Sequence, residues 1–192
     1  VIAAGSALHD HALSIFRKMP AGLGTLAFLA GGCFRSFFDG TKTKDYDLFF
    51  ASHGDWQMAV QFFRWDKRFT EVTKAGEESF PSFTNGVDAP FNLIGFRFHK
   101  GARALANSFD FRCCGFASEM VDAETVDVFA VEGAALDATR RELNFLNHQH
   151  IDRVMRRSAR YVNEYGYARS DRFNSELSIC RDLPVDTSAG GY

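Results

Sequence analysis

The chain lacks most of the patterns that assign a protein to a special class. No apolar run approaches the roughly 20 residues needed to cross a bilayer. No charged segment followed by an apolar one opens it, so the reading includes neither a membrane anchor nor a secretory leader. Cys33, Cys113, Cys114 and Cys180 form no C-x-x-C pair, and no histidine stands at a spacing that completes a zinc site with them. Reduced thiols in a cytoplasmic setting are the expectation, with the adjacent Cys113 and Cys114 as small buried residues. His148 and His150 alternate in a polar stretch and read as a solvated loop. A formal net charge of −2 excludes a global nucleic-acid footprint, so any basic site is local. No internal repeat or low-complexity tract is evident.

What the chain has in quantity is phenylalanine, 21 in 192 residues. That number suggests a core packed with rings, some left for a ligand or partner. The length fits one domain, or one with a small appendage. Hydrophobic periodicity predicts a helix from the Ser6 N-cap to about position 19, then a short buried strand over 25–30. A second strand covers 45–51, and an amphipathic helix over 55–68 carries Trp56, Val60, Phe63 and Trp65. Strands over 80–84 and 91–98 flank an Asn85-Gly86 turn signal. A short helix over 102–107, an apolar run over 109–117 and a strand over 125–131 follow. The pattern then turns helical over 135–146 and 151–165, ended by Gly166, and the Ser/Gly-rich tail over 186–192 reads as frayed. Strands early and helices late argue an α+β fold, with a head at 1–132 and a helical extension at 133–192.

The chemistry concentrates early. Gly31-Gly32 turns a strand into a helix, and a helix N-terminus is a ready anion site where glycine lets phosphates approach the backbone. Asp45 and Asp47 stand at i and i+2 on a strand, hence on one face. Leu48, Phe49 and Phe50 make that strand a buried one, where paired acids are costly unless a cation lies between them. Carboxylate oxygens are hard ligands for Mg²⁺ or Mn²⁺, and magnesium commonly completes its shell with substrate phosphates. Far downstream, Arg153, Arg157 and Arg160 fall at i, i+4 and i+7 on one helix face, with Arg156 beside them. Such a face binds a triphosphate or an acceptor backbone, or else is a solvated stripe paired with acids such as Asp152 and Glu164. Tyr161, Tyr165 and Tyr167 either stack a base or pack that helix onto the head. The basic turn of Lys42 and Lys44 is either a phosphate contact or a solvated counter-charge.

Gly31-Gly32-Cys33-Phe34-Arg35 followed by Asp45-Tyr46-Asp47-Leu48 resembles the GGxxR…DxD signature of the polymerase-β-like nucleotidyltransferase superfamily. More narrowly, the order of later segments is similar to the head and neck of bacterial poly(A) polymerases and class II CCA-adding tRNA nucleotidyltransferases. Phe109-Asp110-Phe111 through Ala117 sits where that family has RRDFTINAxA. Thr125 to Phe129, with Gly133 and Asp137, resembles IDPFGGxxDL, and Ile151 through Tyr167 resembles DPLRxLRAVRFAxxLGF. The resemblance implies a nucleotidyltransferase-type mixed sheet flanked by helices and a neck-like helical extension. It implies two metal ions, Mg²⁺ or Mn²⁺, on Asp45 and Asp47, an NTP substrate with ATP expected, and release of pyrophosphate. Gly31, Gly32, Arg35, Lys44, Asn92, Arg153, Arg157 and Arg160 become nucleotide-binding candidates. Asp110 becomes a catalytic one.

The departures are specific. Ser36 replaces the Asp of GGxxRD, Ser108 and Phe109 replace the two arginines of RRD, and Asn92 stands where a third carboxylate is common. Either Asn92 fills that place as a neutral ligand or Asp110 supplies the charge. The sequence stops short of the family's base-reading EDxxR motif, so the likeness speaks for nucleotidyl transfer more than for tRNA end repair. An RNA 3′ hydroxyl is the expected acceptor. A protein or small-molecule hydroxyl, or nucleotide binding without turnover, are the alternatives.

Overall fold

The computed structural model describes residues 2, 5–72, 80–147 and 151–182. The expected frayed tail and the stretch carrying His148 and His150 lie outside them. Helix α1 (Ala7–Phe16) begins where the Ser6 hydroxyl accepts the His9 amide at 3.2 Å. It ends before position 19, in a turn that leads to Pro20. Strand β1 (Ala27–Ala30), α2 (Gly32–Asp39), β2 (Tyr46–Phe50) and α3 (His53–Trp65) follow. Next come β3 (Thr70–Val72), β4 (Ser82–Thr84), β5 (Phe91–Phe98) and α4 (Ala102–Ala106). Strands β6 (Phe116–Met120) and β7 (Val126–Ala130) precede α5 (Ala134–Arg140), β8 (Glu142–Leu143), α6 (Ile151–Tyr165), β9 (Ala168–Arg169) and α7 (Asp171–Asp182).

Seven strands form one sheet in the order β3-β4-β5-β2-β1-β6-β7. Only the β2–β5 pair within it is parallel, so the sheet is mixed, as the α+β reading expects. Alternation sorts the side chains by face. Leu29, Leu48, Phe50, Phe91 and Leu93 join the main core with α1, α2 and α3. Ala30, Phe49, Ile94 and Ala117 pack on the other face against α4. Asp47 and Asn92 are partners across β2 and β5, and by the same alternation they belong to that second face. A third cluster gathers Phe111, Cys113 and Cys114 with residues of α5, α6 and α7, and the Phe145 and Phe173 rings stack there at 4.2 Å.

Several elements differ from the sequence reading. The helix expected over 135–146 stops at Arg140, because Arg141 adopts a left-handed φ of 54° and the chain enters β8, which pairs with β9. Trp65, expected on the apolar face of α3, is 72% exposed. Strand β3 carries no buried residue and α7 is polar overall, so neither had a hydrophobic signature.

The β2–β5 pairing contains an irregularity that shapes the site. Leu48 pairs with Leu93 and Phe50 with Phe98, so two steps along β2 match five along β5 and three residues are extra. This bulge spans 95–97, and bulges re-aim side chains beside functional sites. Gly95 permits it because the Trp56 indole covers that position and donates to the Leu93 carbonyl at 3.1 Å. A Cβ on residue 95 would sit 2.6 Å from Trp56 Nε1. Gly95→Ala is therefore expected to displace Trp56 and lower stability by about 2 kcal/mol. Urea unfolding followed by Trp fluorescence measures both effects, and an unchanged midpoint would count against this packing.

Candidate active site

A cavity of about 580 Å³ opens on the α4 side of the sheet, above β2. Its size falls in the range of small-ligand pockets. Asp47 on β2 and Asp45, one residue before that strand begins, line it, both half-buried. Gly31 and Gly32 border them at the end of β1, where α2 begins. Gly31 has φ 79°, a region that L side chains avoid, and a Cβ there would lie 3.3 Å from the Phe109 ring and 4.0 Å from Asp47 Oδ2. A side chain would crowd the acid and the positive end of the α2 dipole together.

Two walls flank these acids. One is α6, held to the segment before β6 through Tyr161–Cys114 and the Asp110 ion pairs, and its Arg153, Arg156, Arg157 and Arg160 all line the cavity. The spacing read from the sequence thus corresponds to a real face. On the β5 side stand Phe80, Ile94, Phe96, Arg97 and His99. Seven cationic and three acidic side chains line the whole, in a chain whose net charge is −2.

The electrostatics differ across the site. Burial pushes the Cys33 thiol well up, and the charges of Asp47 and Asp45 push it further, marking a negative field beneath β2. At the foot of α6 the Cys114 thiol is instead pulled down. A hydrogen bond from Cys113 is the main cause, outweighing burial, and Tyr161, Arg157 and Arg35 add to it. Burial lowers His99, with Arg97 contributing, so its imidazole is held toward the neutral form. The acids at Asp45 and Asp47 and the arginines of α6 thus line one cavity.

The glycines, acids, Asn92, Arg35, Lys44 and the α6 arginines singled out in the sequence all line this cavity, whereas Lys42 and Tyr167 do not. Arg35 is only 4% exposed. Its Nη1 donates to Asp39 Oδ2 at 2.6 Å, and its guanidinium lies 4.2 Å from the Tyr165 ring centroid and 5.4 Å from that of Tyr161. Tyr167 donates to the same Asp39 oxygen at 2.8 Å. Arg35 thus joins α2 to α6 while also lining the cavity. Tyr161 and Tyr167 pack the helix onto the head, the second of the two readings for them. Ser36, which replaces the motif's Asp, bonds to Cys33 O and Thr43 Oγ1.

Lys44 pairs with Glu164 at 2.9 Å, and Arg160 shares that carboxylate at 3.2 Å. Both are exposed pairs, each a weak contributor. Asp110 is buried, and its two oxygens accept from Arg153 at 2.6 Å and Arg157 at 2.5 Å. Asn92 is buried too. It donates to Asp47 Oδ1 and accepts from the Ser82 hydroxyl, each at 2.9 Å. Among the described residues no group of three His, Cys, Asp or Glu side chains is placed to hold a metal ion. Phe80, Phe96, Arg97, His99 and Cys114 were not foreseen as site residues. Gly95, isolated within a strand pattern, is the one signal that pointed to a bulge there.

The model of the Gabija anti-defense 2 (Gad2) family protein matches residues 8–140, more than half of the chain. The chain belongs to the Gabija anti-defense 2 family. No curated protein matches it in sequence. In structure, this family member is similar to a Thermotoga maritima CCA-adding enzyme complexed with tRNA, at a TM-score of 0.57 and 15% identity over 88% of this chain and 42% of that one. A tRNA-processing enzyme gives a TM-score of 0.64 at 13% identity, covering 95% of this chain and 49% of the other. A tRNA nucleotidyltransferase complexed with primer tRNA and an ATP analogue gives 0.61 at 14%, covering 89% and 50%. The Gad2-family chain therefore spans half or less of these structures' length. It shares the fold of the polymerase-β-like nucleotidyltransferases, as its motifs led one to expect. Among the described residues, no helix is long and apolar enough to cross a membrane.

Proposed function

We propose that this chain is a divalent-cation-dependent nucleotidyltransferase, moving the nucleotidyl group of an NTP, with ATP the expected donor, to an acceptor hydroxyl. The gathering of the β2 acids, the Gly31-Gly32 turn and the arginine face of α6 around one cavity carries this reading. Nucleotidyl transfer asks for positioning and charge stabilisation more than for covalent help from the protein. The acceptor oxygen bonds to the α-phosphorus, and the bond from that phosphorus to the α–β bridging oxygen breaks. Pyrophosphate leaves with the electron pair, and the hydroxyl proton passes to water. Arg153, Arg156 and Arg157 hold the β- and γ-phosphates and stabilise the leaving charge, while the turn at Gly31-Gly32 lets the α-phosphate approach the acids.

Asp45 and Asp47 fit Mg²⁺ or Mn²⁺, which are commonly bound through one or two carboxylates and substrate phosphates. Such an ion supplies Lewis-acid polarisation of the phosphate when bound. Of the two ways to fill the third acidic place, Asn92 is the nearer, paired with Asp47 across β2 and β5. It stands there as a hydrogen-bond donor to Asp47 with its oxygen on Ser82, while arginines hold both Asp110 oxygens. With an amide in that place the donor set fits one ion better than two. The same substitution favours a second reading, nucleotide binding without turnover.

The test incubates the chain with α-labelled NTPs, Mg²⁺ or Mn²⁺, and RNA, DNA and protein acceptors. Expected is label on an acceptor with matching pyrophosphate release, abolished by chelation. NTP-dependent thermal stabilisation with no product on any acceptor would replace transfer by the binding reading. The family's name assigns its members to anti-defense, and nucleotidyl transfer is the chemistry proposed for that role here.

A further inference from the structure

The wall of the cavity formed by β5 has no task in the donor-binding scheme above. The bulge at 95–97 lifts Phe96 out of the sheet, leaving it 46% exposed beside Phe80, with ring centroids 6.5 Å apart. Arg97 places its guanidinium 5.9 Å from the Phe96 ring centroid. Ile94 lies between this shelf and Asn92, so the ring sits on the strand that partners Asp47. The sheet order puts β2 between β5 and β1, so Asp47 lies between this shelf and the Gly31-Gly32 turn at the end of β1.

An exposed ring is costly in water unless something covers it, and here it shares a cavity with a surplus of cations. We infer that the Phe80–Phe96 shelf with Arg97 is the acceptor subsite, and that it takes the unpaired terminal nucleotide of a single-stranded nucleic acid. The base stacks on Phe96, its phosphate faces Arg97, and its terminal hydroxyl points along β5 toward the acids. This rests on the nucleotidyl-transfer reading and deepens it by naming the acceptor class. Stacking needs an unpaired base, since a duplex keeps its bases covered by neighbours. A protein hydroxyl offers the ring no flat partner and Arg97 no phosphate.

The experiment measures binding of a 5′-fluorescein strand of about 12 nucleotides, as RNA and as DNA, by anisotropy. It compares the native chain with Phe96→Ala and Phe96→Trp. Phe96→Ala is expected to weaken strand binding about 5- to 150-fold, and Phe96→Trp to preserve it. Both variants are expected to keep the native melting temperature, since Phe96 is 46% exposed, and the native stabilisation by ATP, since the donor scheme gives it no contact. Strand affinity within twofold of native in Phe96→Ala overturns the inference. So does equal competition by a free mononucleotide, or transfer of label to protein alone. Loss of ATP stabilisation in the native chain would instead strike the donor reading, which the strand measurement does not use.

Discussion

Asp47→Asn is expected to lower nucleotidyl transfer by about three powers of ten, the scale of several kcal/mol attached to metal-assisted charge stabilisation. The melting temperature is expected not to fall. The two outcomes follow from the same geometry. Asp45 and Asp47 line one side of the cavity two residues apart, and without a cation their charges repel. Removing one charge relieves that repulsion, and the new amide keeps an oxygen for the Asn92 donor now 2.9 Å from Asp47 Oδ1. A residue kept for its fold would show the reverse, lost stability with activity intact. Pyrophosphate release and differential scanning calorimetry on the same preparation check both halves. Full activity in the variant would end the assignment of these acids to catalysis.

What could be read in the sequence depended on the range over which each signal acts. The Asp45/Asp47 pair and the Arg153–Arg160 face are set by the periods of one strand and one helix, and both arrived in the cavity as spaced. The Gly31-Gly32 turn is equally local. The surroundings of Arg35 were not legible, because beyond the local Asp39 its partners are the distant Tyr161 and Tyr165 rings. Tyr167 meets Asp39 across 128 positions, and the Arg141 guanidinium donates to the Asp39 carbonyl across 102. Nothing in the run 31–40 announces that its arginine will be enclosed by rings from α6. The β5 shelf was hidden for a different reason. A strand-like run such as 91–98 looks the same whether or not three of its residues leave the ladder, and only Gly95 hinted at the break. The end of α5 was hidden as well, since Arg141 is an ordinary helix former held left-handed by the return into β8.

Asp110 offers the sharpest stability test, and it separates the two roles open to it. As an organiser it holds Arg153 and Arg157 through one carboxylate whose side chain is 4% exposed, while theirs are 24% and 40% exposed. Helix α6 buries little else, only Val154, Ser158 and Tyr161, so this ion triad is a main part of its attachment. Removing the shared partner of a buried ion cluster costs about 3–5 kcal/mol. The partial hydration left to the arginines puts Asp110→Ala at the lower end, about 3 kcal/mol, or a drop of about 6–12 °C in melting temperature for a domain of this size. Asp110→Asn keeps one good acceptor oxygen and is expected to fall between. In both variants the arginines lose their fixed rotamers, so ATP stabilisation declines together with the melting temperature. If Asp110 were instead a catalytic acid, Asp110→Asn would lose turnover with ATP affinity and melting temperature near native. Calorimetry with and without ATP therefore tells organiser from catalyst, and a loss below about 1 kcal/mol in Asp110→Ala would refute the organising role.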